Sequence, residues 1–149
     1  MRFVLPLAGL LLILSCGGPH ADEVDDFYTR PVALPGGQVI KAEAMSDTVD
    51  IMRGLMFRKS LAPDHGMLFL YKSPDHYTHW MYQTLIPLDM IWMDAQHGVV
   101  EIVDSAQPCK TKASECASYG GHQVAQYVLE IGAGLAKKYR LRTGDTIQW

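Results

Sequence analysis

His79-Trp80-Met81-Tyr82-Gln83-Thr84-Leu85-Ile86-Pro87-Leu88-Asp89-Met90-Ile91-Trp92-Met93 is the stretch that decides how this chain is read. It holds two of the three tryptophans, three methionines and a single carboxylate, Asp89. Pro87 precedes a six-residue apolar run, Leu88 to Met93, which reads as a strand. Side chains alternate along a strand, so Asp89 shares a face with Ile91 and Met93, while Leu88, Met90 and Trp92 point the other way. Burying a carboxylate without a partner is costly. Asp89 is therefore either a structural anchor, with Arg53 or Arg58 as the expected partner, or a pocket carboxylate that binds ligand or acts as a base. Arg53, Trp80 and Asp89 together are the candidate ligand-binding residues, because they combine charged groups with an aromatic wall.

Outward from this stretch, the chain reads as short strands. Gln38 to Ala44, Met67 to Tyr71, Val99 to Val103, Gln123 to Glu130 and Thr146 to Trp149 are expected strands, and His79 to Gln83 is either a strand or an extended loop. Asp94 to Gly98 is a hairpin loop. Val49, Met52, Leu55 and Met56 recur at helical spacing behind the N-cap candidates Ser46 and Asp47, which predicts a short helix from Asp47 to Arg53 closed by Gly54. A second short helix falls within Gly132 to Lys138, with its lysines late, as the helix dipole favours. About seven short strands and two short helices without a βαβ rhythm give an α+β class. The expected architecture is a β-rich compact single domain, with a mixed or antiparallel, partly closed, barrel-like sheet.

The chain has 149 residues, enough for one domain with a real core. At 48% hydrophobic and 19% charged residues it has a globular composition. A net charge of −3 without a Lys/Arg cluster gives no electrostatic footprint for nucleic acid. Residues 1–15 read as a signal peptide: Arg2, then an apolar segment from Val4 to Leu14 that is too short to span a membrane. Ser15-Cys16-Gly17 resembles a bacterial lipoprotein processing site, in which Cys16 becomes the lipidated N-terminus. Residues 16–30 then form the anchor and an acidic, flexible tether, and residues 31–149 the globular domain. The expected location is exported, periplasmic or outer-surface, and lipid-anchored to a membrane.

Cys109 and Cys116 remain, in an oxidising setting, with a disulfide as the default reading. Metal ligation or redox work is the sharper alternative, but the spacing is wider than Cys-x-x-Cys and there is no second pair.

Several separated motifs resemble one family. They are Arg53-Gly54-Leu55-Met56-Phe57-Arg58-Lys59-Ser60-Leu61, Gly66-Met67-Leu68-Phe69, Trp80-Met81, Thr84, Ile86-Pro87-Leu88-Asp89-Met90-Ile91, Tyr127-Val128-Leu129-Glu130 and Gly144-Asp145. In this order they resemble the bacterial and archaeal domain-of-unknown-function family 192, from about Val39 to Ile147. The Cys109 and Cys116 loop followed by Tyr119 is similar to a common bacterial subgroup. The resemblance implies a compact β-rich domain, often exported or lipid-anchored, and no activity. The sequence departs from the pattern at Tyr82-Gln83, where many members have Lys-Asn.

Other chemistry has thinner support. His76 and His79, near Asp75, have metal-like spacing but no third ligand fixed by sequence. The methionines sit mostly on apolar faces, which explains them as core before copper handling. No nucleophile elbow, phosphate loop or dinucleotide fingerprint is present, and no cofactor is called for. The sequence is best read as a non-enzymatic ligand-binding or interaction domain of the envelope, for a small molecule, glycan or peptide. The alternatives are a hydrolase on a carbohydrate or envelope substrate using Asp89, and periplasmic metal handling.

Overall fold

A computed structural model describes residues 28–149. The signal segment, Cys16 and the tether up to residue 27 lie outside the described residues. The elements run β1 (Thr29–Ala33), β2 (Val39–Met45), α1 (Thr48–Arg53), β3 (His65–Asp75), β4 (Thr78–Trp80), β5 (Leu88–Met93), β6 (Val99–Ala106), β7 (Ser118–Gly120), β8 (Ala125–Gly132) and α2 (Leu135–Lys138). The class is α+β, and the first strand takes in Thr29 and Arg30 from the end of the stretch read as tether.

Six strands form one mixed sheet in the order β1-β2-β3-β8-β5-β6, and β4 pairs with β7 in a separate two-stranded ribbon. Only β2 and β3 run parallel, joined by a crossover that contains α1. The sheet is not closed into a barrel. The expected last strand instead forms isolated bridges, Ala33 with Gln148 and Gly98 with Thr146, so the C-terminus reaches a strand end at each edge. Residues 29–33 and 118–120 were not expected as strands, being too short to show a period; pairing with β2 and β4 holds them extended.

Every residue of β5 is buried. A strand covered on both faces reads as a continuous apolar run, which is why it stands out in the sequence. Its two faces belong to two separate cores. Ile91 and Met93 join Val32, Ile40, Leu68, Leu129, Ile131, Ala136 and Ile147 on one side. Leu88, Met90 and Trp92 join Leu55, Met67, Phe69, Met81 and Val128 on the other. The alternation expected from the sequence is the one observed.

The short helix α1 begins at Asp47, whose side chain accepts a bond from the Val49 amide at 2.8 Å. It ends at Gly54, with φ 47° and ψ −136°, a conformation that only glycine adopts readily. None of its side chains is fully buried. Its Ile51, partly buried, packs against the second core.

Candidate functional site

Asp89 faces the first core and is fully buried. Its Oδ1 accepts the Ser105 amide and its Oδ2 the Ala136 amide, both at 2.8 Å. Two features of the backbone aim those amides. The β5–β6 register shifts between Leu88 and Met90, and the bulge leaves Ser105 with φ 52°. Ala136 lies in the first turn of α2, where helical amides have no partner within the helix. Charge-assisted bonds to backbone amides, at about 1.5–3 kcal/mol each, offset the cost of burying the charge. The expected partner was Arg53 or Arg58, and that expectation is corrected. Arg58 is taken by Glu43, with contacts of 2.6 and 2.7 Å, and Arg53 is on the surface across the sheet. A sequence names candidate cations but gives no sign of which backbone amide a bulge will turn inward.

The opposite face carries a second buried carboxylate. Glu130 pairs with Met90 in the β5–β8 register, one step from Asp89, which pairs with Ile131. That single step places Glu130 in the second core, with its side chain 6% exposed. His79 Nδ1 lies 2.8 Å from Glu130 Oε1, and His79 Nε2 lies 2.9 Å from the Tyr71 hydroxyl. Burial raises the Tyr71 pKa above the ordinary phenol range, and the Glu130 and Tyr77 charges push it the same way. Tyr71 therefore keeps its proton and can donate to Nε2 in the tautomer whose Nδ1–H donates to Glu130. The imidazole meets Phe69 edge-on at 4.7 Å and Trp92 at 5.7 Å between centroids. Trp92 in turn donates its indole N–H to the Tyr77 carbonyl at 2.8 Å. The ribbon of β4 and β7 thus closes over the second core through His79 and Trp92.

Between this pair and α1 is a cleft of about 30 Å³, lined by Met52, Arg53, Phe69, His79, Trp80, Thr84 and Glu130, among others. It holds two of the three residues proposed from sequence, Arg53 and Trp80, and leaves Asp89 out. Trp80 is 42% exposed, and Met52, Phe57 and Leu85 are exposed too. Arg53 makes no ion pair with any described carboxylate. Trp80 and Tyr82 lie 5.4 Å apart, and beyond them a larger hollow of about 320 Å³ is lined by residues 82–85 and 108–111. Thr84 borders both spaces. The second wall is fixed by the Cys109–Cys116 disulfide, with its Cα atoms 5.7 Å apart.

Sequence reasoning named Glu130 and His79 separately and missed that they pair. The signal was present, since Glu130 is a lone acid in the apolar run Tyr127 to Ile131, the same anomaly that picked out Asp89. His76 and His79, considered for metal, are both engaged otherwise: His76 Nδ1 bonds the Gly121 carbonyl. Among the described residues no group of three or more His, Cys, Asp or Glu could hold a metal ion.

The fold and site define a small α+β domain with a surface cleft. The chain belongs to the domain-of-unknown-function family 192, described as uncharacterised ACR, whose model matches residues 32–149. A curated relative, UPF0127 protein TK1120 from Thermococcus kodakarensis, is 29% identical over 99 residues. That match covers 65% of this chain and 57% of the relative, less than two thirds of its length. A solved protein of unknown function from Novosphingobium aromaticivorans has a TM-score of 0.74 at 32% identity, covering 81% of this chain and 85% of that one. A candidate transcription regulator from Sinorhizobium meliloti has a TM-score of 0.70 at 29% identity, covering 79% and 89%.

Proposed function

We propose that this protein is a lipid-anchored, non-enzymatic binding domain of the cell envelope, whose ligand docks at Arg53 and Trp80. The observation that carries the reading is an exposed indole beside an arginine without an ion-pair partner among the described residues, over a cleft floored by Glu130 and His79. Solvent-exposed aromatic rings next to a free cation are common features of recognition surfaces. The adjoining hollow of about 320 Å³ is within the size range of ligand pockets, about 300–1,000 Å³, and gives the ligand room to extend past Tyr82.

The hydrolase alternative loses its acid, because both oxygens of Asp89 are bonded to backbone amides away from either space. The regulator name of the Sinorhizobium neighbour is not carried over, since a net charge of −3 gives nucleic acid nothing to bind.

The test is a thermal-shift panel of envelope oligosaccharides and short peptides on wild type and Trp80→Ala. A hit that stabilises wild type and loses its effect in Trp80→Ala, with unliganded melting unchanged, supports the reading. A hit that stabilises both equally puts the site elsewhere. Anchoring is tested separately: Cys16→Ser is expected to move the protein from the membrane fraction to the soluble fraction. Retention in the membrane fraction would contradict lipidation.

A further inference from the structure

Glu130 carries a property that neither the fold nor the proposed site explains. Its side chain is more than nine-tenths buried, and His79 occupies Oε1. Among the described residues no group donates to Oε2, and Glu130 lines the cleft. Oε2 is not among the enclosed side-chain oxygens that lack a hydrogen bond among the described residues, one each on Gln38 and Glu43, so it is reachable from the cleft. The cleft, at about 30 Å³, has room for a group the size of one water. Thr84, 5% exposed, lines the same space and offers a second oxygen. Phe69 and Trp80 contribute aromatic walls.

A small cation with several N–H donors suits this space. An ammonium group donates up to three bonds, forms a charge-assisted bond with a carboxylate, and is attracted to aromatic faces. A planar guanidinium is larger, and the protein's own Arg53 lines the cleft without pairing with Glu130. Arg53 also repels a simple amine at the entrance, unless the ligand brings an anion to meet it. α1 buries no side chain fully, so few buried contacts hold the roof of the cleft in place.

We infer that the cleft is a subsite for the primary ammonium of a short zwitterionic peptide such as a dipeptide, with Glu130 and Thr84 receiving the ammonium and Arg53 the carboxylate. This rests on the binding reading above and narrows it to one ligand class. The remainder of the ligand lies along Trp80 and Tyr82.

The experiment uses three probes, alanyl-alanine, N-acetyl-alanyl-alanine and alanyl-alanine amide, titrated by NMR into isotope-labelled protein. Wild type is expected to prefer the free-amine dipeptide over the acetylated one by about tenfold, one charge-assisted bond's worth. Glu130→Gln keeps the side-chain size and an acceptor for His79, and is expected to abolish that preference. Arg53→Ala, at an exposed position, is expected to abolish the preference for alanyl-alanine over its amide. If Glu130→Gln does not fold, Arg53→Ala and the acetylated probe carry the test alone. Equal binding of the free and acetylated dipeptides overturns the inference and leaves the binding reading standing. So does a panel in which only neutral glycans stabilise the protein. If neither dipeptides nor the panel bind, both readings fall.

Discussion

Two buried carboxylates occupy neighbouring strands one register step apart, and they live in opposite halves of the molecule. Asp89 on β5 faces the first core and Glu130 on β8 faces the second. The fold consumes Asp89 completely: two backbone amides, one from a bulge and one from a helix start, take both oxygens. It consumes only half of Glu130, whose other oxygen opens on the cleft beside Arg53 and Trp80. A lone acid in a buried strand is thus not by itself a functional signal. What matters is whether the surrounding backbone leaves it anything to bind.

The predictions that follow probe the two halves separately, from the largest effect down. Gly120, with φ 72°, sits so close to Trp92 that an added Cβ would lie 2.1 Å from the indole ring. Gly120→Ala should push Trp92 off His79 and cost about 3 kcal/mol or more in chemical denaturation. A loss under about 1 kcal/mol would mean the second core is looser than its packing indicates. Removing the Cys109–Cys116 bond with paired Cys→Ser changes should cost about 2–3 kcal/mol, the chain-entropy value for so short a loop. Because that bond walls the larger hollow, peptide or glycan binding should weaken with it.

Tyr71 gives the Glu130 half a pH dependence on the alkaline side. Its folded pKa is raised above the ordinary phenol value of about 10, so the folded state holds the proton longer than the unfolded state does. The stability this contributes is full below about pH 10 and is lost as pH climbs from there towards the folded value. Tyr71→Phe should cost about 1 kcal/mol at neutral pH through the lost bond to His79, and should flatten the decline above pH 10. Denaturation curves of both proteins from pH 7 to 11 check this, and an unaltered alkaline slope counts against it. The smallest effect belongs to Arg53→Ala, expected to change stability by less than about 0.5 kcal/mol because the residue is exposed and makes no ion pair among the described residues.

Much of this architecture was legible in the sequence. Periodicity gave β5 its limits and its two faces, because a strand buried on both sides has only one way to alternate. Asp47 and Gly54 marked the ends of α1 through the chemistry of caps. The three-residue β7 was not legible, since its polar residues carry no period of their own and are held by β4 and the loop around it. Within the site, Arg53 and Trp80 do share a cleft, while Asp89 belongs to the other core. That error came from long-range geometry: the amide of Ala136 lies 47 positions from Asp89 along the chain. The same obstacle hid the pairing of His79 with Glu130, 51 positions apart.

The contrast between the two acids is tested most directly by their isosteric substitutions, compared in one chemical denaturation experiment at neutral pH. Asp89→Asn turns an acceptor into a donor that faces a backbone amide, and should lose about 1.5–3 kcal/mol. Glu130→Gln can keep its bond from His79 and turn its amide to the open cleft, so its loss should stay within about 1 kcal/mol. Equal losses, or a greater loss at Glu130, would contradict the division of one carboxylate to the fold and the other to a ligand.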